Sequence, residues 1–462
     1  MNICARQVIE KVEAEGIETV RAVFVDQHGI LRGKTIVSSA LRTAFDDGIK
    51  VPSTLLLKDT SHRTVFPIWT QNANPEEVPL HGASDVVLRP NPERFHPIPW
   101  SPHSAFLLCS VEDQNGHPIS FSSDEVLSVA VNALKKAGYT AVFGLEVEFQ
   151  IFRVLDQRLS HAEATMPPAP VKTENLTQGH QYLAEMRYAE VEETLDELRR
   201  MSQMLGLEPR SMEIEMGPSQ FEFTFNPADP QTQADRFVLF RTLVKEVCHR
   251  RGLHGSFMPK PALQHAAANG WHLHQSLFKI DGTPVFIPEN EQTLTDELRG
   301  WIAGLLEHAK PCCLLTNPTV NSYKRFTPYQ LAPNRIQWGM DNRGAMLRAL
   351  LKSSDHASRL ENRVADSSAN PFYAIASQII SGLDGLHRGS PPPEATETPY
   401  EGASSLPRNL FEAIEAFEGS KLVASYYGTG FQKYLGTLKR AEWDRYLMSV
   451  SEWEQQEYFG LF

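Results

Sequence analysis

Within the run GLEVEFQIF (144–152), Glu146 and Glu148 are threaded between Leu145, Val147, Phe149, Ile151 and Phe152. Alternation of this kind is the mark of a strand, and on a strand the side chains at i and i+2 share one face. The apolar neighbours predict that the strand is buried on both sides. Two ionised carboxylates side by side in such a place are strongly unfavourable unless a cation neutralises them. For this pair alone, a wet sheet edge with two solvated glutamates is the other arrangement available.

A second segment narrows that choice. In SMEIEMGPSQFEFTF (211–225), Glu213 and Glu215 alternate with apolar residues, and Glu222 follows a Gly-Pro turn between Phe221 and Phe223. A third, NGWHLHQSLF (269–278), puts His272 and His274 on one strand face, a common ligand geometry. The donor set is rich in oxygen, has one or two imidazoles and lacks thiolate, which suits Mg²⁺ or Mn²⁺ better than structural Zn²⁺. A fourth region supplies positive charge: NSYKR (321–325), DNR (341–343), Arg348 and RLENR (359–363). Any one of these arginines reads as an ordinary ion-pair partner. Several facing a carboxylate cage point to an anion between them, a phosphoryl group or a substrate carboxylate. Glu361, between Arg359 and Arg363, is a candidate last metal ligand. No GxxxxGK[ST] or GxGxxG stretch occurs, so a nucleotide would not sit on a P-loop or Rossmann turn.

The 462 residues carry a formal charge of -12 with no Lys/Arg-rich run, which argues against a nucleic-acid footprint. The five cysteines are odd in number and form no CxxC pair, so the chain reads as reduced and cytoplasmic. No apolar leader opens the chain and no run of apolar residues is long enough to span a membrane.

Two domains are expected. Residues 20–25 read as a strand, 26–29 as a turn, and a second strand runs through Ile36. The stretch RPNPERFHPIPWSPHS (89–104) has five prolines and reads as a connector, so the boundary is placed near residue 112. Beyond it, Ser122 and Glu125 predict a capping box opening a helix over 123–137. A strand over 140–152, a surface loop over 155–178, a helix over 187–205, strands at 211–225 and 271–279, and a helix over 293–309 follow.

These residues resemble the glutamine synthetase family along nearly the whole chain. The matching stretches are FGLEVEF (143–149), EMGPSQFE (215–222), FMPKP (257–261), GWHLHQSL (270–277), NPTVNSYKR (317–325), DNRGAMLR (341–348) and RLENRVADSSANP (359–371), in the family's order and spacing. The resemblance implies an α+β fold: a small N-terminal β-grasp domain (1–112) and a large catalytic domain (113–462) built on an antiparallel sheet funnel. It implies a homo-oligomer, a dodecamer of two hexameric rings with active sites shared between subunits. One metal site would be Glu148, Glu215 and Glu222; the second, nearer the ATP phosphates, Glu146, His272 and Glu361, with two or three Mg²⁺ or Mn²⁺ ions in each active site. His274, Ser276, Arg348 and Arg359 match nucleotide-site positions, and Arg325, Arg363, Ala268 and Gly270 match glutamate-site positions. Arg343 and Arg348 match arginines on the transferred phosphate, which makes Arg343 and Arg325 the candidate catalytic arginines. The implied chemistry phosphorylates the γ-carboxylate of L-glutamate with ATP and passes the γ-glutamyl group to an amine.

The resemblance breaks at the ammonium site. The family places a flap glutamate after the NSYKR motif, and the neighbouring subunit supplies an aspartate. Here the flap reads FTPYQLAP (326–333), with Leu331 at the glutamate's place. The neighbour loop reads GIKVPSTLL (48–56), with Pro52 and Ser53 near the aspartate's place; Asp46 and Asp47, a few residues earlier, are the alternative carboxylates for that place. Losing both carboxylates weakens the hold on a small cation and favours a bulkier amine with apolar surface. Aniline is neutral at pH 7 and needs no deprotonation before attack; isopropylamine would still need a base. Tyr182, in GHQYL (179–183), matches a family tyrosine near the acceptor pocket. The expected product is therefore a γ-glutamylamide of an aniline-type or small apolar amine. Ammonia, a polyamine or ethanolamine as acceptor, and a non-catalytic relative, are the alternatives.

Overall fold

The computed structural model describes residues 3–69, 81–290, 293–327 and 331–462. The chain opens with α1 (Ile3–Ala14), then β1 (Thr19–Val25), β2 (Leu31–Val37), α2 (Leu41–Asp47), β3 (Ile49–Pro52), β4 (Asp85–Pro97) and β5 (Ser104–Glu112). These strands form one sheet in the order β2-β1-β5-β4-β3, with β1 and β5 parallel and the other pairs antiparallel. Val8 and Val12 of α1 bury against Val20, Leu41 and Leu107, a small core of their own.

The proline-rich stretch 89–104 is no connector. It is most of β4 and the turn into β5, paired to β5 on both sides of a register shift between Pro90 and Phe95. Among the described residues, no strand pairs with its other edge beyond Leu88, because β3 pairs only with residues 85–88. Prolines are tolerated at bulges and along free edges, where no ladder donor is needed.

The larger part continues with α3 (Ser123–Lys136), β6 (Tyr139–Asp156), β7 (Lys172–Asn175), α4 (Glu185–Met204), β8 (Pro209–Ile214), β9 (Gln220–Ala228), α5 (Pro230–Arg250), β10 (Leu253–Ser256) and β11 (Trp271–Lys279). Then come α6 (Asp296–Glu307), α7 (Ala309–Thr316), β12 (Trp338–Met340), β13 (Leu347–Leu350), β14 (Arg359–Asn362), α8 (Pro371–Arg388), α9 (Leu410–Glu418), α10 (Lys421–Leu447) and α11 (Glu452–Tyr458). The second sheet runs β12-β13-β14-β11-β6-β9-β8, with β7 and β10 added along the far end of β6. Among the described residues of this sheet, only β12 and β13 pair in parallel. A small N-terminal sheet followed by a large, mostly antiparallel one is the α+β architecture expected.

Several local expectations shift. Ser122 is the N-cap of α3, but its side chain makes no capping bond, so the capping box does not form. The loop over 155–178 contains β7, which folds back on β6. The run 211–225 is two strands, β8 and β9, around a turn. The helix expected over 293–309 starts later, because Thr295 caps it by accepting from the Leu298 N–H, and the chain re-enters a helix as α7.

The centre of the molecule is the two-faced strand β6. Its odd residues pack on α5: Phe149 lies 5.5 Å from Phe240 and 5.7 Å from Phe223 between ring centroids, and Phe237 stacks on Trp271 at 4.4 Å. Its even residues, Glu146 and Glu148, are only half-buried. Burial on both sides was expected; one face is core and the other is partly exposed. Among the described residues, no helix is long and apolar enough to cross a membrane.

Candidate active site

Register converts the separated sequence motifs into one constellation. Glu146 of β6 lies opposite His272 of β11, and Glu148 lies opposite Glu222 of β9. Glu222 in turn faces Glu213 of β8, and His274 faces Glu361 of β14, which faces Arg348 of β13. Because facing residues on adjacent strands stand about 5 Å apart, the sheet gathers these side chains over one surface. Glu215 joins from just beyond β8, its N–H donating to the Gln220 carbonyl at 3.0 Å.

Among the described residues, three sets place one ligand atom from each member within 4.8 Å of the others: Glu148, Glu215 and Glu222; Glu146, Glu222 and His272; and Glu146, His274 and Glu361. The first is the expected trio. For the second, Glu146 and His272 are joined as expected (Nδ1 to Oε2 2.9 Å), and His272 Nδ1 lies 3.7 Å from Glu361. His274 enters the cage as well, with Nε2 2.7 Å from Glu146 Oε1.

The electrostatics divide the cage. Burial raises the Glu146 carboxyl, but its hydrogen bonds to His272 and His274 outweigh that and hold it well below the usual range. Burial and the neighbouring Glu148 push Glu215 up to about 8. Glu222 is raised well above its ordinary value by burial and then by Glu148, Glu146 and Glu215. Among the described residues, neither Glu215 nor Glu222 has an ion-pair partner. Three carboxylates sharing a poorly solvated space, with oxygen donors and an adjacent imidazole, fit a hard divalent cation.

Glu361, fully buried, is differently placed. Burial would raise it, yet Arg363, His272 and His274 hold it below its usual value. Its oxygens pair with Arg363 and, at 3.1 Å, with Arg348, which also binds Asp341. Arg325 donates to the carbonyls of Val364 (2.8 Å) and Ala365 (3.1 Å). The Nε atoms of Arg325 and Arg363 are buried without a partner, donors that fit an anion.

Gly270 sits among these groups: a Cβ there would stand 3.1 Å from Arg325 Nη2, Glu148 Oε1 and His272 Nε2. Its N–H donates to Glu148 Oε2 at 2.7 Å. Ala268, the other expected glutamate contact, is fixed through its carbonyl by Gln220 Nε2 at 2.8 Å. Gln220 was not foreseen, although it shares the Glu222 face of β9, two residues away; its amide also binds Asn269 Oδ1 at 3.0 Å, with Glu148 Oε2 at 3.3 Å. Ser367 was missed too, although it lies in the matching stretch RLENRVADSSANP (359–371). Its hydroxyl donates to the carbonyls of Glu148 (2.6 Å) and Gly270 (2.9 Å), clamping β6 to the start of β11.

On the expected nucleotide side, Arg359 Nε donates to His274 Nδ1 at 3.0 Å, and Ser276 Oγ donates to the Ser358 carbonyl at 3.0 Å. An open cavity of about 620 Å³, lined by Asp341, Leu350, Lys352, Ser358 and Arg359 among others, lies alongside. On the opposite side stands Tyr182, half exposed, its hydroxyl raised by burial and then by Glu215, Glu213 and Glu222, and lowered by Arg343. Arg343 is exposed and has no hydrogen bond or ion pair among the described residues. Leu331 is exposed with φ 54°; the flap residues 328–330 lie outside the described residues. Pro52 is exposed at the end of β3, whereas Ser53 is fully buried with an unpartnered hydroxyl, so this chain does not present Ser53 outward.

The family model for the glutamine synthetase catalytic domain matches residues 123–458. A γ-glutamylanilide synthase of an Acinetobacter species is 34% identical, over 99% of this chain and 96% of its own. A glutamine synthetase of Methanosarcina mazei is 30% identical, over 98% of this chain and 97% of its own. Among solved structures, GmaS in complex with ADP superposes with a TM-score of 0.82 at 26% identity, over 98% of this chain and 99% of that one. With cage, arginines and motifs in this register, the chain belongs to the glutamine synthetase family, ATP-dependent ligases that form γ-glutamyl C–N bonds with the help of divalent metals.

Proposed function

We propose that this enzyme joins the γ-carboxylate of L-glutamate to an apolar or aromatic amine through γ-glutamyl phosphate, with aniline-type amines or small alkylamines such as isopropylamine as acceptors. Glu148, Glu215 and Glu222 would hold one Mg²⁺ or Mn²⁺; Glu146 and Glu361, with His272 and within reach of His274, would hold a second. These ions supply charge neutralisation on the phosphoryl oxygens. Arg325 and Arg363, with Ala268 and Gly270, hold glutamate. Arg343 and Arg348 balance the charge on the transferring phosphoryl group, and Ser276 and Arg359 face the nucleotide. Phosphorylation turns a carboxylate oxygen, a poor leaving group, into phosphate. Residues 1–112 are taken as the N-terminal domain and 113–462 as the catalytic one, in a cytoplasmic dodecamer whose acceptor pocket borders a neighbour's Pro52 loop.

The observation that carries the acceptor is Leu331, an apolar side chain where the family's ammonia users place a carboxylate. The similarity to a γ-glutamylanilide synthase supports the same reading. Comparable similarity to glutamine synthetases keeps ammonia as the second reading. Amide formation is to be assayed side by side with ammonia, aniline, isopropylamine and putrescine. Aniline or isopropylamine should be used at least tenfold more efficiently than ammonia; an ammonia preference would sink the proposal.

A further inference from the structure

Two histidines outside the cage meet at its mouth. The rings of His180 and His265 lie 5.8 Å apart, nearly perpendicular, although they come from loops far apart in sequence. Both residues have left-handed backbones, with φ of 65° and 61°. A non-glycine residue pays about 1–2 kcal/mol for that conformation, so each loop is held in place by what surrounds it.

Those surroundings are the candidate site. The His180 N–H donates to the Met216 carbonyl at 2.8 Å and the Leu183 N–H to the Ile214 carbonyl at 3.1 Å. The loop carrying His180 and Tyr182 is thus pinned on both sides of Glu215. The loop carrying His265 is pinned beside it. Lys260 Nζ donates to the Ala266 carbonyl at 2.5 Å, and Gly217 abuts Ala267 so closely that a Cβ would come within 2.8 Å of its nitrogen. Both imidazoles are exposed and, among the described residues, neither ring nitrogen is hydrogen-bonded. Tyr182, two residues from His180, feels the charges of Glu215, Glu213, Glu222 and Arg343, and Lys260 is bonded to the residue next to His265.

We infer that the His180–His265 pair is the proton acceptor of the amide-forming step, in the role that Leu331 vacates. The inference rests on the γ-glutamylamide reading above. The amine nitrogen bonds to the γ-carbonyl carbon, the bond from that carbon to the phosphate oxygen breaks, and phosphate leaves with the electron pair. The proton lost by nitrogen passes to an imidazole and on to water. A carboxylate at such a site both attracts a cation and takes its proton. An imidazole accepts a proton without carrying a negative charge, and so performs only the second task. Replacing carboxylate by imidazole therefore moves selectivity toward amines that arrive uncharged, while keeping a base of useful strength.

The test uses His180→Asn, His265→Asn and the double variant, since asparagine tolerates positive φ and has no basic nitrogen. Two quantities are followed with aniline as acceptor: amide formed per ADP released, and the pH profile of amide formation. Loss of a general base costs on the order of 100-fold. The double variant should lose at least tenfold in amide per ADP at pH 7. It should also lose the acidic limb of the wild-type profile and regain activity with free imidazole. A wild-type ratio and an unchanged acidic limb would overturn the inference. Should the double variant not fold, two single variants both matching wild type would overturn it equally. Wild-type enzyme that released no ADP in response to glutamate would instead refute the parent reading.

Discussion

A carboxylate that burial and like charges make costly in the folded chain is a candidate cation ligand, and Glu222 shows this most plainly. It is buried, faces Glu148 across the ladder, and has only other glutamates as charged neighbours to raise it. Glu222→Gln keeps the shape and removes the repulsion. The metal-free variant should therefore melt at the same temperature as wild type or higher, whereas the rise in melting temperature on adding Mn²⁺ should shrink to a fraction of the wild-type rise. Thermal melts with and without Mn²⁺ read both, and a variant stabilised by Mn²⁺ as fully as wild type would remove Glu222 from the cage. Gly270 makes the complementary case, because there the missing Cβ is what matters. A methyl 3.1 Å from Arg325, Glu148 and His272 must displace at least one of them. Gly270→Ala should fold, since its neighbours are partly flexible side chains, but raise KM for glutamate by at least tenfold. Steady-state kinetics at saturating ATP decide it.

Elements show which parts of this molecule could be read beforehand. Strand β6 announced itself through alternating glutamates, and the HxH of β11 through its imidazoles, because period-two patterns need no knowledge of partners. What stayed hidden was register: nothing in the sequence says that Glu146 stands opposite His272 or that Gln220 reaches Ala268, for those facts belong to pairs of strands. Strand β4 was hidden for another reason. Its prolines obey a rule about sheet interiors that a bulge and a free edge suspend. The same strand carries a pH effect. Burial, followed by the charges of Arg94 and Lys11, lowers His96 from an ordinary 6.5 to about 4. Between those values the unfolded chain takes up a proton that the folded chain refuses. Stability is therefore unaffected above pH 6.5, falls as the pH drops toward 4, and changes no further below it. His96→Gln should remove on the order of 1–2 kcal/mol of acid destabilisation at pH 5. The comparison is of wild-type and variant denaturation midpoints at pH 7.5 and 5.0, and equal acid shifts in both would show that His96 is not the group responsible.

At the scale of the whole molecule, the active-site face and the chain end pose the same problem, surfaces that make little sense on a lone subunit. Leu331 is an apolar side chain exposed on the surface of the subunit. The chain end is plainer still: α11 buries none of its residues, and Trp453, Phe459, Leu461 and Phe462 are exposed to 60%, 80%, 68% and 94%. The helix is nonetheless well built, with a complete capping box between Ser451 and Glu454 and with Tyr458 in ring contact with Trp453 and Phe462. A contiguous aromatic patch on an ordered element marks an interaction surface. In a homo-oligomer its natural cover is another copy of the chain. Removing residues 451–462 takes nothing from the core of the subunit, so the shortened chain should fold with nearly the wild-type melting profile while its assembly falls to a smaller size. Light scattering behind size exclusion reads the mass, circular dichroism the fold. A truncated protein of unchanged mass would show that α11 is covered by something other than the subunit contacts that build the oligomer.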